Sequence, residues 1–370
     1  MTIGDEVKGA PQAFRDFLDQ RGLVYDPLTQ VDMLACALGS QFLLFAGPSG
    51  TGKSTAAKVL ADFLTPQSRH LTIDARPAWT SSEDLVGQYS AFSGQFVKGP
   101  ATEGLVSLAG SNSPSPVVIV EEANLSPMEA YMGSVVTTTS KVSFRSLVWP
   151  LHQQLTGAQL TIPGDVTLAP WPRVFGTVNV DSTAEAPAPK VSGRACVVLL
   201  EPPTVDMALA STDAITPSPV SPSGSPAGAA LFRNPTSAWS NYLLTGGTKR
   251  FTNALKPLIA TVAEHGGRKL NLVSPRDVQR CVVFMSWHVP LAEAAHAAGI
   301  LDSTSDAESA ENALLHFILP GLSSEQFGRV VNPLLSAATP DGLLARRLAK
   351  LDAGGENLFG VAPDFWASLS

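Results

Sequence analysis

The sequence predicts a layered α/β domain, in which helices sandwich a parallel five-stranded sheet, followed by a helical C-terminal domain. Short apolar runs alternate with helical patterns between residues 41 and 205, as expected for a parallel sheet covered by helices. Five of these runs are apolar almost throughout, which is typical of strands buried on both faces. The five predicted strands are Gln41–Ala46, His70–Ile73, Val117–Glu121, Arg173–Asn179 and Cys196–Leu200.

Length and composition fit a packed globular protein. The chain has 370 residues, of which 44% are hydrophobic and 15% charged, so it is long enough for two domains. Its apolar runs are far shorter than the ~20 residues of a membrane-spanning helix, and its N-terminus has no secretory pattern. Three scattered cysteines without metal-ligand spacing indicate reduced thiols. We therefore expect a cytoplasmic protein without a membrane segment.

The charge pattern argues against a dedicated nucleic-acid binder. The formal net charge is −7, and there is no run of five or more basic residues, so the usual electrostatic footprint is missing. The six histidines show no HxH or HxxxH spacing. Structural or surface roles are expected for them rather than metal binding.

Composition and periodicity divide the chain into four segments. A helical lead-in over residues 1–40 precedes the α/β core at 41–205. Residues 206–238 are rich in Pro, Ser, Gly and Ala, and we interpret them as a linker because such a stretch buries too little apolar surface to fold alone. Residues 239–370 form the helical domain. Its predicted helices are Trp239–His265, Pro275–Val289, Ala307–Leu322, Ser323–Leu335 and one near Gly342–Leu351.

A glycine-rich motif follows the first predicted strand. The pattern G-x-x-x-x-G-K-[ST] is matched by Gly47, Gly52, Lys53 and Ser54, with a helical pattern directly after it. Glycines let the backbone turn tightly and aim N–H groups at phosphate oxygens, and the following helix adds its positive dipole end. We expect Lys53 to reach the β- and γ-phosphates and Ser54 to ligate Mg²⁺. The predicted nucleotide-binding residues are Gly47, Pro48, Ser49, Gly50, Thr51, Gly52, Lys53, Ser54 and Thr55.

Two adjacent carboxylates, Glu121 and Glu122, end the third predicted strand. Hydrolysis of a nucleoside triphosphate needs one carboxylate near the metal and another group that polarises the attacking water. Because side chains alternate along a strand, the two carboxylates should point to opposite sides and take separate roles. We assign Glu121 to the Mg²⁺ sphere, through water, and Glu122 to orienting the nucleophile.

Five segments together resemble the AAA+ domain of McrB-type motor proteins from methylation-dependent restriction systems. They are GLVYDPLTQVDMLACALGSQFLLFAGPSGTGKS, WTSSEDLVGQYSAFSGQFV, EEANLSPMEAYM, FGTVNVDSTAEAPAPKVSGRACVV and FILPGLSSEQF. The resemblance spans most of residues 20–365, apart from the linker. It implies an AAA+ P-loop nucleoside-triphosphatase whose C-terminal helical domain is a lid. Two positions depart from the family pattern, since Glu121 and Gly193 stand where the family usually has Asp.

The resemblance implies roles for three further residues. Asn179 would be sensor 1, an amide that touches the γ-phosphate or the attacking water. Arg194 would be the arginine finger, which acts on the nucleotide of the neighbouring subunit. Arg276 matches sensor 2 in the lid, with Arg280, one turn later, as the rival position.

An arginine finger acting in trans implies a ring, so we expect a homo-oligomer, namely a hexamer. By resemblance, the chain would be the motor subunit for a separately encoded nuclease or effector in restriction or anti-phage defence, with DNA contacted through its partners. Two other classes stay open: a MoxR-like chaperone ATPase that remodels a protein, and a nucleotide-gated scaffold that scarcely hydrolyses. ATP with Mg²⁺ is the expected substrate, and GTP is the alternative because the characterised restriction motors of this family prefer it.

Overall fold

The architecture is known from a computed structural model. It describes residues 5–90, 92–109, 114–139, 146–152, 163–180, 186–202, 225–233, 248–266, 273–353 and 365–366. The strands are β1 (Phe42–Gly47), β2 (His70–Asp74), β3 (Gly87–Ser90), β4 (Gln95–Lys98), β5 (Val117–Glu121), β6 (Leu147–Pro150), β7 (Asp165–Leu168), β8 (Arg173–Asn179) and β9 (Cys196–Leu199).

Five of these strands form the central sheet, in the order β2-β5-β8-β1-β9, and every pairing in it is parallel. The five predicted strands are therefore confirmed, each within one residue of its expected bounds. Strands β1, β8 and β9 are apolar and buried almost throughout because helices cover both faces. Phe45 and Phe175 on neighbouring strands pack edge to face, with ring centroids 5.5 Å apart.

Two short antiparallel hairpins, β3–β4 and β6–β7, stand outside the central sheet. The sequence did not predict them, because each strand has only four residues. Strands β6 and β7 alternate buried and exposed residues, as strands with one covered face do. Their short apolar pattern is too weak to stand out from the surrounding loops.

The helices of the described chain are α1 (Asp5–Asp19), α2 (Pro27–Gly39), α3 (Lys53–Leu64), α4 (Ser82–Val86), α5 (Thr102–Leu108), α6 (Met128–Tyr131), α7 (Gly133–Thr139), α8 (Pro189–Ser192), α9 (Pro226–Arg233), α10 (Thr248–His265), α11 (Pro275–Ala297), α12 (Asp306–Phe317), α13 (Ser324–Ala337) and α14 (Leu343–Ala353). Lid helices begin at defined caps. Ser274 forms a capping box with Asp277 at the start of α11, and Ser323 forms one with Gln326 at the start of α13.

The prediction of a linker needs correction over residues 226–233, which form the helix α9. This helix packs on α3 so closely that a Cβ at Gly228 would lie 1.9 Å from the Phe63 carbonyl oxygen. Leu231 on the same helix is buried. An alanine-rich segment can therefore be helical when a neighbouring surface covers its apolar face. The rest of the predicted linker, residues 206–224 and 234–238, lies outside the described residues.

The lead-in helices pack against the lid as well as the core. Gly39 at the end of α2 lies against α11, where a Cβ would be 3.3 Å from the Phe284 Cα atom. Helix α11 continues eight residues beyond its predicted end at Val289, with Pro290 inside it. None of the helices in the described part of the chain combines the length and apolar character that a bilayer crossing requires.

Candidate functional site

The phosphate-binding loop lies between β1 and α3, at the carboxyl edge of the sheet. Gly50 and Gly52 adopt φ values of +82° and +78°, which glycine accepts without strain. Gly47 is needed for a different reason, since a Cβ there would lie 2.3 Å from the Leu200 carbonyl oxygen. All three glycines of the loop are therefore required, two for conformation and one for close packing.

Lys53 is held inside this loop. Its Nζ donates to the Pro48 carbonyl oxygen at 2.6 Å, and the same oxygen accepts from Thr51 Oγ1 at 3.0 Å. The Lys53 side chain is only 7% exposed. A buried ammonium at the start of a helix supplies positive charge where the backbone N–H groups of the loop already favour an anion.

Ser54 and Glu121, the two predicted metal ligands, are in contact. The Ser54 hydroxyl hydrogen-bonds the Glu121 carboxylate, and Lys58 forms an ion pair with the same carboxylate. Partial burial would raise the pKa of Glu121, but these hydrogen bonds and the Lys58 charge hold it below its ordinary value. A hydroxyl and an ionised carboxylate are oxygen ligands that suit Mg²⁺. The donor set therefore fits the predicted ion.

No group of three or more His, Cys, Asp and Glu side chains among the described residues could hold a metal ion alone.

Glu122 is exposed and immediately follows β5. Its backbone has φ +50° and ψ +42°, a conformation that a non-glycine residue rarely adopts. Its N–H donates to Thr177 Oγ1 on β8 at 2.8 Å, which holds this turn in place. Glu122 therefore lies in a left-handed turn after the strand, so the strand alternation on which the prediction rested does not extend to it. Such strained residues concentrate at functional sites.

Asn179 ends β8 and is the register partner of Gly47 on β1. Asn124 holds this strand end from the other side. Its Nδ2 donates to the Asn179 carbonyl oxygen at 2.9 Å, and its Oδ1 accepts from the Asn179 N–H at 3.2 Å. The segment after Glu122 is thereby tied to the strand end beside the phosphate-binding loop. Sequence analysis gave Asn124 no such role.

The three predicted arginines lie in two different settings. Arg194 follows α8, is half-buried, and donates from Nη1 to the Lys190 carbonyl oxygen at 2.8 Å. Arg276 lies near Asp277, with Nε and Oδ1 3.7 Å apart, and its side chain is 42% exposed. Neither lines the cavity beside the phosphate-binding loop.

Arg280, the rival position for sensor 2, is a structural residue. Its guanidinium is buried and donates to the carbonyl oxygens of Gly193, Arg194 and Ala195 at 2.6 to 2.9 Å. It also lies 4.7 Å from the ring centroid of Phe317. This arginine fixes the chain around Arg194 and is not available to a phosphate.

A cavity of about 350 Å³ opens beside the phosphate-binding loop. Its lining comes from the lead-in, the loop, the end of β9 and the lid, as in sites that form where separate elements meet. The lining residues are Gly22, Leu23, Val24, Tyr25, Asp26, Thr29, Asp32, Gly50, Thr51, Gly52, Thr55, Leu199, Leu200, Glu201, Pro202, His316, Leu343, Arg346 and Arg347.

Two lid arginines line this cavity, Arg346 and Arg347 on α14, and neither was predicted from the sequence. Arg347 is largely buried, and its Nε lies 3.1 Å from Glu201 Oε1. Burial lowers the pKa of Arg347, while Glu201 opposes that shift. The adjacent arginines in LLARRLAK are visible in the sequence as a possible anion-binding pair. Whether they face the glycine-rich loop, however, depends on how the whole lid packs.

The lead-in contributes Tyr25, whose hydroxyl donates to the Gly52 carbonyl oxygen across 3.4 Å. Burial raises the pKa of Tyr25 above its ordinary value, so the phenol stays neutral. Residues of the lead-in and the lid therefore line the cavity together with the phosphate-binding loop.

The sheet order, the loop and the two carboxylates define a P-loop nucleotide-binding protein. Residues 42–179 match the family model described as AAA domain (dynein-related subfamily). The matched segment includes the phosphate-binding loop, both carboxylates and Asn179, and the fold is that of an AAA+ domain, with a parallel five-stranded sheet flanked by helices.

Among solved structures, the chain is similar to one described as "a putative ATPase from Cytophaga hutchinsonii", with 12% sequence identity and a TM-score of 0.51. The match covers 85% of this chain and 88% of that one. At this identity the similarity supports the fold alone. A comparison with curated proteins finds no match.

Proposed function

We propose that the chain is a Mg²⁺-dependent ATPase that works as a ring and drives movement or remodelling of a partner. The observation that carries the proposal is the contact of Ser54 with Glu121 beside the buried Lys53, with Glu122 one residue further on. Phosphate binding, metal binding and water activation thus meet at one edge of the sheet. GTP is the alternative substrate.

In this mechanism, the loop residues Gly47–Thr55 hold the phosphates by backbone N–H groups, and Lys53 leaves the Pro48 carbonyl for the β- and γ-phosphates. Ser54 would ligate Mg²⁺, and Glu121 would bind the ion through water. Mg²⁺, when bound, neutralises charge that develops on the phosphate oxygens. Glu122 takes up the proton of the attacking water, and Asn179 orients that water or the γ-phosphate.

The lid supplies a second set of charges. Arg346 and Arg347 line the cavity that holds the phosphate-binding loop, whereas Arg276 does not. We therefore assign sensor 2 to this pair in place of Arg276. Arg347 would exchange its ion pair with Glu201 for a phosphate oxygen when the nucleotide enters.

Arg194 lies outside its own subunit's cavity, and this supports a role as an arginine finger for a neighbour. Arg280 holds the backbone around it through three carbonyls, so the finger is presented from a fixed base. This assignment implies a ring, and the resemblance to McrB-type AAA+ proteins favours a hexamer. Mass photometry with and without nucleotide measures it directly, and a monomer under every condition contradicts it.

The biological setting is proposed from the resemblance to McrB-type motors: a motor subunit for a separately encoded nuclease or effector in restriction or anti-phage defence. The alternative, a MoxR-like chaperone ATPase, shares the same core. Affinity purification of the intact chain with ATP and Mg²⁺ separates the two. A co-purified nuclease supports the first, and a co-purified protein without nuclease activity supports the second.

The activity itself is tested by phosphate release from ATP and GTP, with Mg²⁺ and with a chelator, on the wild type and on Lys53→Ala. We expect Mg²⁺-dependent release that Lys53→Ala abolishes, because the lysine contacts both β- and γ-phosphates. Nucleotide binding without turnover in the wild type would instead favour a nucleotide-gated scaffold.

A further inference from the structure

A group of buried polar side chains lies at the cavity wall and has no part in the hydrolytic machinery described above. It consists of Asp32 on α2, His288 on α11, and Asn312 and His316 on α12, and we name it the Asp32 cluster. Each of these residues is at most 3% exposed. Polar groups so deeply buried need partners, and charged ones need opposite charges.

The Asp32 carboxylate is the centre of the cluster. Its Oδ1 lies 3.1 Å from His288 Nε2 and 3.3 Å from Asn312 Nδ2, and its Oδ2 lies 3.3 Å from His316 Nε2. His316 Nδ1 lies 2.6 Å from the Val197 carbonyl oxygen on β9. A carbonyl can only accept, so Nδ1 carries a proton, and Nε2 facing a carboxylate carries one as well. His316 is therefore an imidazolium paired with Asp32.

The titration of the pair agrees with this geometry. Burial alone would lower the pKa of His316 and raise that of Asp32. Their mutual attraction prevails, so the pKa of His316 rises to about 9 and that of Asp32 falls to about 2. Among the described residues, other titratable groups that act on this pair are Cys196 on β9, beside His316, and His288 on α11 and Cys36 on α2, beside Asp32.

Asp32 and His316 line the same cavity as the phosphate-binding loop and Arg347. The cluster thus joins the lead-in, the sheet and the lid at a cavity wall. A nucleoside triphosphate carries several negative charges, and an unpaired carboxylate in that wall would repel it, because charges interact strongly where water is excluded. The His316 cation removes that repulsion.

We propose that His316 is a positioning residue for the nucleotide: it neutralises Asp32 and ties that carboxylate to β9, so that the cavity accepts a polyanion while the lid stays against the loop. The inference rests on the proposed ATPase function. It differs from a purely structural role because it makes nucleotide affinity depend on the charge of the pair, and not only on its packing.

The experiment compares kcat and KM for ATP in the wild type, His316→Gln and the double variant Asp32→Asn/His316→Gln, at pH 7.5 and 9.5. Val262→Ala is the matched control, because Val262 is buried in the lid helix α10 and does not line the cavity. Urea unfolding measures the free energy of unfolding of each variant, so that changes in KM can be compared with changes in stability.

We expect His316→Gln to raise KM about tenfold at pH 7.5 with kcat nearly unchanged, because it leaves the Asp32 charge in the wall. The double variant recovers part of that loss, since its cluster is neutral. Wild-type KM rises between pH 7.5 and 9.5, and KM of His316→Gln stays flat. In NMR of ¹³C-labelled histidine, added nucleotide shifts the titration of His316 to higher pH, by linkage.

The proposal is overturned if the double variant binds no better than His316→Gln, or if KM simply follows stability as in Val262→Ala. The wild-type pH profile and the NMR titration need no variant, so they decide the matter even if His316→Gln does not fold. A wild type that neither binds nor hydrolyses nucleotide defeats the ATPase function and this inference together. Normal turnover with an unchanged KM in His316→Gln defeats only the inference.

Discussion

The two sides of the cavity beside the phosphate-binding loop are built differently. On the phosphate side, the predicted functional groups lie in one short segment, Gly47–Thr55, and at the ends of β8 and β5. Strand β8 pairs with β1, which leads into that segment, and β5 pairs with β8. On the lead-in and lid side, Tyr25, Glu201 and Arg347 come from distant parts of the chain. The comparison shows that a phosphate-binding loop formed by neighbouring residues can be recognised as a sequence motif. A cavity lining that is assembled from distant residues by packing cannot.

The largest effect is expected from substitution of Arg194. If this residue acts on the nucleotide of a neighbouring subunit, the site has a third part in addition to the two sides compared above. Arg194→Ala should lower kcat by roughly 10³-fold or more while ATP affinity is retained, because the finger acts on transition-state charge. Steady-state hydrolysis and nucleotide binding measure the two separately. Lys190→Ala, on the short helix α8 that precedes Arg194, is the control.

Mixing sharpens this test. Arg194→Ala and Glu122→Gln subunits lack different halves of the site, so a mixed ring regains intact sites and part of the activity. If the mixture is no more active than either variant alone, Arg194 does not act in trans.

The phosphate side is probed next by Glu122→Gln. We expect kcat to fall about 10²–10⁴-fold with little change in ATP affinity, because the amide keeps the shape but cannot accept the proton of the water. Glu129→Gln, on helix α6 and seven positions after Glu122 in the chain, serves as the control carboxylate. Equal activity of Glu122→Gln and wild type would remove Glu122 from the mechanism.

On the lid side, the Asp32–His316 pair should make stability depend on pH. The folded-state pKa of His316 is raised to about 9, so its contribution is complete below its ordinary value of 6.5 and is lost as pH rises through about 9. Asp32, lowered to about 2, contributes above 3.8 and loses its contribution as pH falls through about 2.

We therefore expect the free energy of unfolding to fall by on the order of 3 kcal/mol between pH 6 and 10. Urea unfolding across this range measures the change. His316→Gln should remove most of the slope. A slope equal to that of the wild type would show that other groups cause it.

The smallest effect concerns the choice between lid arginines. Arg347→Ala should raise KM for ATP about tenfold, because it removes one charge that faces the phosphates. Arg276→Ala should leave KM unchanged, because its exposed side chain lies outside the cavity. The opposite result would restore Arg276 as sensor 2.

The sequence by itself determined the sheet and the phosphate side. Alternating apolar runs located all five central strands, and the positions of Gly47, Lys53 and Ser54 followed from contacts between near neighbours in the chain. Adjacent residues determine local geometry of this kind, because the conformation of a backbone turn or of a helix start depends on the few residues within it.

Only the tertiary structure decided which distant side chains share the cavity. Arg280 proved to be a buried support and Arg347 a cavity residue, although both are arginines in lid helices. Asp32 and His316 are 284 positions apart in the sequence, yet their side chains meet. Burial and ion pairing of this kind depend on how whole helices pack, and no short stretch of sequence specifies that packing.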